Sequence, residues 1–422
     1  MHQGFRAYYE DVNFYPLVDI FFVLGGMHMN EVPWYQQLKE KRLAYGVSQN
    51  KLAVHVGISR QYISEIETGK ITPTQTLQHA MFDILEQFNP EAPLEILFDY
   101  VRIRFLTTNP KPVIEEILRL KMEYMIHEDY AFYSYMEQYV FGDIVVMVSP
   151  DEDKGCLLEL KGKGCRQFEN FLLAQQRTWF DFFMDVFRVS GVYKRVDLAI
   201  NDKTGKLDIP FLTNKCRNEE CISVFRSFKS YRSGELVHGE EKRDMGNTLY
   251  IGSLKSDVYF CVYEKDYEQY VKHGASLEDT DIKNRFDIRL KNDRAYHAVV
   301  DLMTYEDAGR TAFSIINRYI RFVDKDEKKR RSSWPMNAEW QRFLDLGENR
   351  KIYLTTKPEP YTFDKTLRWL ARQVAPTWKL ATKLDEINQT TVIKDMLDQA
   401  KLSKRHQQLL MQQALKTEDV IK

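Results

Sequence analysis

The residues best suited to do chemistry lie in one run, Gly246-Asn-Thr-Leu-Tyr-Ile-Gly-Ser-Leu-Lys-Ser-Asp-Val-Tyr-Phe-Cys-Val-Tyr-Glu-Lys265. Two β-branched and aromatic stretches are separated by a polar turn at Ser253–Asp257, which predicts a β-hairpin. Period-two alternation puts Thr248 and Tyr250 on one face and Leu249 and Ile251 on the other. In the second strand Tyr259, Cys261, Tyr263 and Lys265 share a face, opposite Val258, Phe260, Val262 and Glu264. With both faces largely apolar, the pair belongs inside a sheet rather than at its edge. Tyr250, set among glycines with Lys265 one strand away, is a candidate nucleophile for phosphorus, and Lys265 a candidate for phosphate charge. A phenol with an ordinary pKa of about 10 needs help to attack. A divalent ion gives that help by polarising a non-bridging oxygen, and carboxylates are the natural ligands for magnesium or manganese. Asp197 and Asp287 fall on the polar faces of their strands, where such ligands must be. Glu264 is a third candidate, but alternation sets it opposite Lys265, so both reach one site only if the strand bulges or ends there. The plainer reading of the same residues is also open: Tyr250 is one of 24 tyrosines, and Asp197 and Asp287 can pair across strands with Arg195, Arg285 or Arg289.

The elements that must position these groups are legible in outline. Ile96–Phe105 reads as a strand, Pro112–Met122 as a helix, and Tyr139–Val148 with Cys156–Lys161 as a hairpin around Ser149–Gly155. Gly162-Lys-Gly164 opens a predicted long helix, Arg166–Val189. A helix start behind glycines offers N–H groups to a phosphate, and a tight strand-to-helix turn accounts for the same glycines equally well. Tyr193–Ile200 is a strand with Val196, Leu198 and Ile200 on one face and Arg195, Asp197 and Asn201 on the other. Arg285–Leu290 is another, with Phe286, Ile288 and Leu290 inward. Helix is predicted from Arg294 to about Val323 and through residues 362–422, where Trp369, Leu370, Val374 and Trp378 read as core. Hairpins alternating with helices predict an α+β fold with mostly antiparallel sheet, flanking helices and a helical C-terminal region. The cluster Lys325–Arg331 is either a solvated loop or a holder of phosphate backbone.

A chain of 422 residues accommodates two or three domains, and 44% hydrophobic with 29% charged residues describes a globular protein able to build a core. The net charge of −1 advertises no global affinity for nucleic acid, so any such surface must be local. Five scattered cysteines make neither a disulfide framework nor a zinc site and fit a reducing cytoplasm. The apolar stretch Leu17–Gly26 is interrupted by Asp19 and too short to span a bilayer, so no membrane insertion is expected. It also lacks the basic leader of a signal peptide, and translation from Met27 or Met29 would leave residues 1–30 outside any domain.

Residues 31–90 form the first module. The run Leu38–Lys70 resembles the phage-repressor type of helix-turn-helix. Ser48 caps a helix from Gln49 to about Val56, Gly57 makes the turn, and Ser59 caps a second helix that Gly69 ends. Ile58, Ile63 and Ile66 point inward, leaving Ser59, Arg60, Gln61, Tyr62 and Ser64 to reach base edges and phosphates. A helical hairpin used for protein contacts is the alternative.

The hairpin at Tyr250 resembles the nucleophile motif of the replication initiation factor family, which includes rolling-circle plasmid initiators and relaxases of conjugative elements. Thr248, Leu249, Tyr250, Ile251, Gly252, Ser253 and Ser256, followed by Tyr263, Glu264 and Lys265, follow its pattern. Further matches in family order are Asp99–Phe105, Gly162–Glu169, Arg195–Asp202 and Asn284–Leu290, so the resemblance covers about 95 to 325 and leaves 326–422 as basic linker and helices. Asn201 stands where the family often has Asp, and Asp287 where it often has Glu. No His-hydrophobic-His triplet is present, so the two-histidine metal site of other relaxases does not carry over. The resemblance implies a DNA strand transferase: Tyr250 attacks a phosphodiester at an origin, Lys265 meets phosphate charge, Asp197, Asp287 and Glu264 hold magnesium or manganese, and Arg166 contacts DNA. Its implied partners are origin duplex and single strand, a helicase and a conjugative coupling protein. The fused helix-turn-helix resembles relaxases of integrative and conjugative elements more than plasmid initiators with the same chemistry. A non-enzymatic repressor is the third reading.

Overall fold

The computed structural model describes residues 33–86, 88–89, 92–234, 244–273, 277, 280–348, 352, 354–359, 367 and 370–422. Residues 1–32, including Met27 and Met29, and Trp369 lie outside them.

The strands are β1 (Leu94–Phe105), β2 (Ile126–Glu128), β3 (Glu137–Phe141), β4 (Ile144–Val148), β5 (Cys156–Lys161), β6 (Val192–Asp202), β7 (Cys221–Ser223), β8 (Phe228–Gly234), β9 (Asp244–Ile251), β10 (Val258–Glu264), β11 (Asn284–Lys291) and β12 (Ile320–Phe322). Ten of them make one antiparallel sheet in the order β2-β3-β4-β5-β1-β6-β11-β10-β9-β8; β7 and β12 pair separately. The predicted α+β class holds. So does the interior place of the 246–265 hairpin, because β8 takes the edge beyond β9. One face is apolar in every central strand: Phe98, Leu198, Ile200, Phe286, Ile288, Phe260 and Leu249 are buried. Helices Lys163–Ala174, Trp179–Arg188, Asn292–Tyr305 and Ala338–Glu348 cover it, with Trp179, Phe182, Phe183, Val299 and Trp340 in the same core. Each such side chain contributes about 1.5–3 kcal/mol by leaving water. Burying one face this way commits the other to whatever polar residues the alternation puts there.

Four predicted elements differ, each for a local reason. Tyr139–Val148 is a hairpin, β3–β4, because Gly142 turns the chain at φ +59°. The long helix breaks into Lys163–Ala174 and Trp179–Arg188, since Gln176 is left-handed and Thr178 starts a new helix through a capping box with Asp181. Pro112–Met122 carries only a short helical turn and a π-helical turn at Val113–Ile117. The run after Arg294 divides at Glu306 (φ +49°) into Asn292–Tyr305 and Ala308–Tyr319, and then enters β12.

At the N-terminus α1 (Trp34–Ala44), α2 (Gln49–Val56), α3 (Arg60–Glu67) and α4 (Gln75–Glu86) enclose a second core of Leu38, Leu52, Ile63, Ile66, Met81 and Leu85. The caps are those the sequence predicts: Ser48 accepts from Lys51 N–H, Ser59 from Tyr62 N–H, and Gly57 is left-handed. Buried Arg42 donates to both Glu67 carboxylate oxygens (2.5 and 2.9 Å) and to the Val47 carbonyl (2.7 Å), locking α1 to α3 by a bidentate pair. The module rests on the sheet domain through His55, whose Nδ1–H donates to the Lys51 carbonyl (2.7 Å) while Nε2 accepts from the Thr356 hydroxyl (3.1 Å).

The C-terminal helices do not form the expected core. Ala375–Asn388 and Val392–Gln399 bury no residue, Leu370 is exposed, and Val374 and Trp378 are half-buried on the surface. Among the described residues after 366 the chain end docks back: Val420 is buried, and Gln412 donates to the Tyr124 and Val140 carbonyls (2.8 and 3.1 Å).

Candidate active site

The sheet face opposite the core gathers the chemistry. In register, Tyr250 on β9 stands beside Cys261 on β10, and Cys261 beside Asp287 on β11. One row along, Tyr259, Arg289, Asp197 and Tyr100 follow one another across β10, β11, β6 and β1. A cleft of about 330 Å³ opens over Tyr250, lined also by Thr248, Cys261, Arg289, Glu268 and Lys272.

Tyr250 is half-buried, its ring edge-on to Tyr231 at 5.9 Å, with Cys261 its cross-strand partner. Burial, and then Cys261, push its phenol up to about 12, while Arg289 pulls the other way. The flanking glycines are required by space as well as by backbone. Gly252 has φ +97°, and a Cβ there would lie 2.9 Å from the Phe225 ring. Gly246 has φ +95°, and its Cβ would lie 2.7 Å from that of Tyr267.

Asp287 is buried. Its Oδ2 accepts from Arg289 (2.9 Å) and its Oδ1 has no partner. Burial first, and then the Asp99 charge, raise its pKa against the pull of Arg285 and Arg289. Asp197 accepts a bidentate pair from Arg195 (2.8 and 2.5 Å), with Arg289 Nε 3.8 Å away; burial raises its pKa and Arg195 opposes. Glu264 lines the cleft but turns from both aspartates, accepting from the Asn247 backbone N–H (2.6 Å) and side-chain amide (2.9 Å). It thereby pins β9 to the end of β10. Among the described residues no group of three or more His, Cys, Asp or Glu side chains is placed to hold a metal ion. The unpartnered Asp287 oxygen is the one feature of these three carboxylates that suits a hard cation directly; at Asp197 the ion would compete with Arg195.

Lys265 does not line the cleft. β10 ends at Glu264 and a helix begins at Lys265 (Lys265–His273), so its side chain leaves the strand's alternation and pairs with Glu268. Burial lowers its pKa. The cations that do line the cleft are Arg289 and Lys272. Arg166 does not line the cleft either: it is buried, donating to the Phe98 carbonyl (2.5 Å) and pairing with Glu169 (2.7 Å). Of the glycines before it, Gly162 makes the turn at φ +40°, and Gly164 lets the helix start approach the β3–β4 turn, since a Cβ there would lie 2.4 Å from the Asp143 carbonyl oxygen. In α3, Ser59, Arg60 and Gln61 are exposed and Tyr62 and Ser64 half-buried.

Three site groups escaped the sequence: Arg289 as the cation at the nucleophile, Cys261 as the cross-strand neighbour of Tyr250, and Asp99. Alternation already put Arg289 on the polar face. Asp99 lies at a register shift between Phe98 and Tyr100, where alternation fails.

Residues 191–397 match the replication initiation factor family, 95–185 the rolling circle replication initiation protein N-terminal domain, and 38–77 the helix-turn-helix. "Putative DNA relaxase NicK" of Bacillus subtilis (strain 168) is 39% identical over 321 residues, 76% of this chain and 90% of that one. The chain belongs to the replication initiation factor family. A rolling circle replication initiator protein from Geobacillus stearothermophilus shares the fold, with a TM-score of 0.54 over 62% of this chain and 100% of that one at 24% identity. The match of this family member runs to 397, past the boundary expected near 325 and into the surface helices.

Proposed function

We propose that this enzyme is a site-specific DNA relaxase that nicks one strand at an origin of transfer and so starts conjugative transfer and rolling-circle replication. The observation that carries the reading is Tyr250, presented in a cleft between two spatially required glycines with Arg289 beside it. The Tyr250 phenol gives up its proton as its oxygen bonds to phosphorus, the bond from phosphorus to the 3′-oxygen breaks, and that oxygen takes up a proton. A 5′-phosphotyrosine link and a free 3′-hydroxyl remain, so the bond is conserved for religation without ATP. Arg289 and Lys272 meet phosphate charge. Asp287, with Asp197, would hold magnesium or manganese, which when bound polarises a non-bridging phosphate oxygen. The exposed side chains of α3 bind duplex beside the nick and raise the local concentration of the substrate strand. A helicase and a coupling protein would act on the nicked product.

The identity to the Bacillus relaxase favours transfer over plasmid replication, whereas the fold likeness to a replication initiator favours the reverse. Transfer of marked DNA to a recipient cell separates the two. The chemistry is tested by trapping the covalent adduct on a single-stranded oligonucleotide and digesting it. The expected result is a nucleotide-modified peptide containing Tyr250; modification of another residue, or no adduct on any origin sequence, refutes it.

A further inference from the structure

We propose that the loop Tyr130–Met136 is the base-stacking end of a single-strand DNA track that begins at Tyr250 and crosses the polar face of the sheet. The proposal deepens the strand-transfer reading by placing the flanking substrate. From β9 to β5 the face spans five inter-strand steps, β9-β10-β11-β6-β1-β5, or about 24 Å at about 4.8 Å each. Cations sit against aromatic rings along it: Arg289 over Tyr259 (5.6 Å), Arg195 over Tyr100 (4.1 Å) and Arg102 over Tyr133 (4.3 Å). Lys161, its side chain 54% exposed, adds a fourth cation 5.8 Å from the Tyr133 ring and shares Glu159 with Arg102. The acids of the row, Asp287, Asp197 and Glu159, are already engaged by Arg289, Arg195 and Arg102.

The loop is anchored on this same face. Tyr135 is buried with Met147 and Leu157, the latter on β5. Tyr133 and Ser134 are both left-handed (φ +57° and +60°), and Lys154 Nζ holds them there by donating to both carbonyls (2.9 and 2.6 Å). Consecutive non-glycine residues in that region are strained, and strain held by its own clamp marks a conformation the fold is built to keep. The result is outward presentation: Tyr130, Phe132, Tyr133 and Met136 are 53, 60, 48 and 64% exposed. Arg102 fixes the Tyr133 ring by also donating to its hydroxyl (2.7 Å). Exposed rings beside cations are what an unpaired strand uses: bases stack on any aromatic face while the backbone follows the charges.

The test uses the full chain carrying Tyr250→Phe, so that binding is read without cleavage. Fluorescence anisotropy is measured on single strands lengthened stepwise from the nick on the 5′ or the 3′ side. Affinity is expected to rise with length on one side only. Tyr130→Ala with Phe132→Ala removes that rise, costing about 5- to 150-fold per stacked base, whereas Tyr130→Phe with Phe132→Tyr keeps it. Both replaced residues are exposed, and the conservative pair controls for folding. Equal affinity of the alanine and parent proteins at every length overturns the track, as does loss of a protein partner with DNA affinity unchanged. Nicking that survives Tyr250→Phe would refute the nucleophile alone, leaving the length dependence to be judged by itself.

Discussion

Replacing Tyr250 with phenylalanine removes one oxygen and leaves the ring against Tyr231. Losing a half-buried hydroxyl beside Cys261 costs at most about 0.5–1.5 kcal/mol. That is a shift of a few degrees in Tm at most for a chain of this size, so the variant folds. The neighbouring phenols cannot stand in. Tyr263 is half-buried at the register of Thr248, not of Tyr250, with its pKa raised by desolvation, and the hydroxyl of Tyr259 accepts from Arg289 at 3.5 Å. Tyr259 also lies two residues from the Cys261 position that pairs with Tyr250, about 7 Å along the strand. A misplacement of about 1 Å already costs on the order of 10²-fold in rate, so nicking should fall by at least about 10⁴-fold. The phenol held at about 12 also means that only about one Tyr250 in 10⁴ is ionised at pH 8, and the wild-type rate depends on the groups that assist it. The assay is relaxation of a supercoiled plasmid carrying the origin, with magnesium or manganese, alongside a denaturing gel for the protein–DNA adduct. Relaxation by Tyr250→Phe at more than about a hundredth of the wild-type rate would refute this reasoning and move the nucleophile.

Gly252→Ala forces a Cβ toward Phe225 at a backbone angle that L-residues resist; it should cost about 1–3 kcal/mol in chemical denaturation and disturb nicking, and an unchanged midpoint would contradict the reading. Chelation of divalent ions should stop nicking, and Asp287→Asn should raise the magnesium needed for half-maximal rate by about tenfold or more, with an unaltered titration arguing against Asp287 as a ligand. Gln61→Ala should weaken specific duplex binding by about 1–3 kcal/mol and raise the plasmid concentration for half-maximal nicking without lowering the saturated rate. Desolvation holds the His55 imidazole at about 4, below its ordinary 6.5, so the unfolded chain takes up that proton first. The stability this neutral ring allows is whole above pH 6.5 and falls as pH drops toward 4, by at most about 3 kcal/mol. The stability gap between wild type and His55→Gln should therefore change across that window; a constant gap would show His55 to be solvated.

How much was legible depended on the range of the interaction involved. The helix-turn-helix was readable to the residue, because Ser48, Gly57 and Ser59 act on N–H and C=O groups within their own turn. The two faces of β6, β9, β10 and β11 were readable because alternation is a property of each strand. Misreadings came where a local signal was outvoted. The family resemblance implied a DNA contact for Arg166, yet Glu169 and the Phe98 carbonyl hold it inside. Apolar residues near Trp378 suggested core, but the helix that carries Trp378 buries no residue.

The sequence alone determined that Tyr250 faces away from the core, that glycines flank it, and that α3 presents Arg60 and Gln61. These follow from Cβ direction, φ preference and capping, all settled within a few residues. Only the tertiary structure decided which charges meet Tyr250. β1, β6 and β11 are far apart in the chain and adjacent in the sheet, so the company of Asp99, Asp197, Asp287 and Arg289 is a product of strand order. Lys265 turned aside because β10 stops one residue before it, and Asp99 joined because β1 shifts register there. Strand order, strand ends and register shifts are chosen by what the whole sheet can bury, which no local window of residues contains.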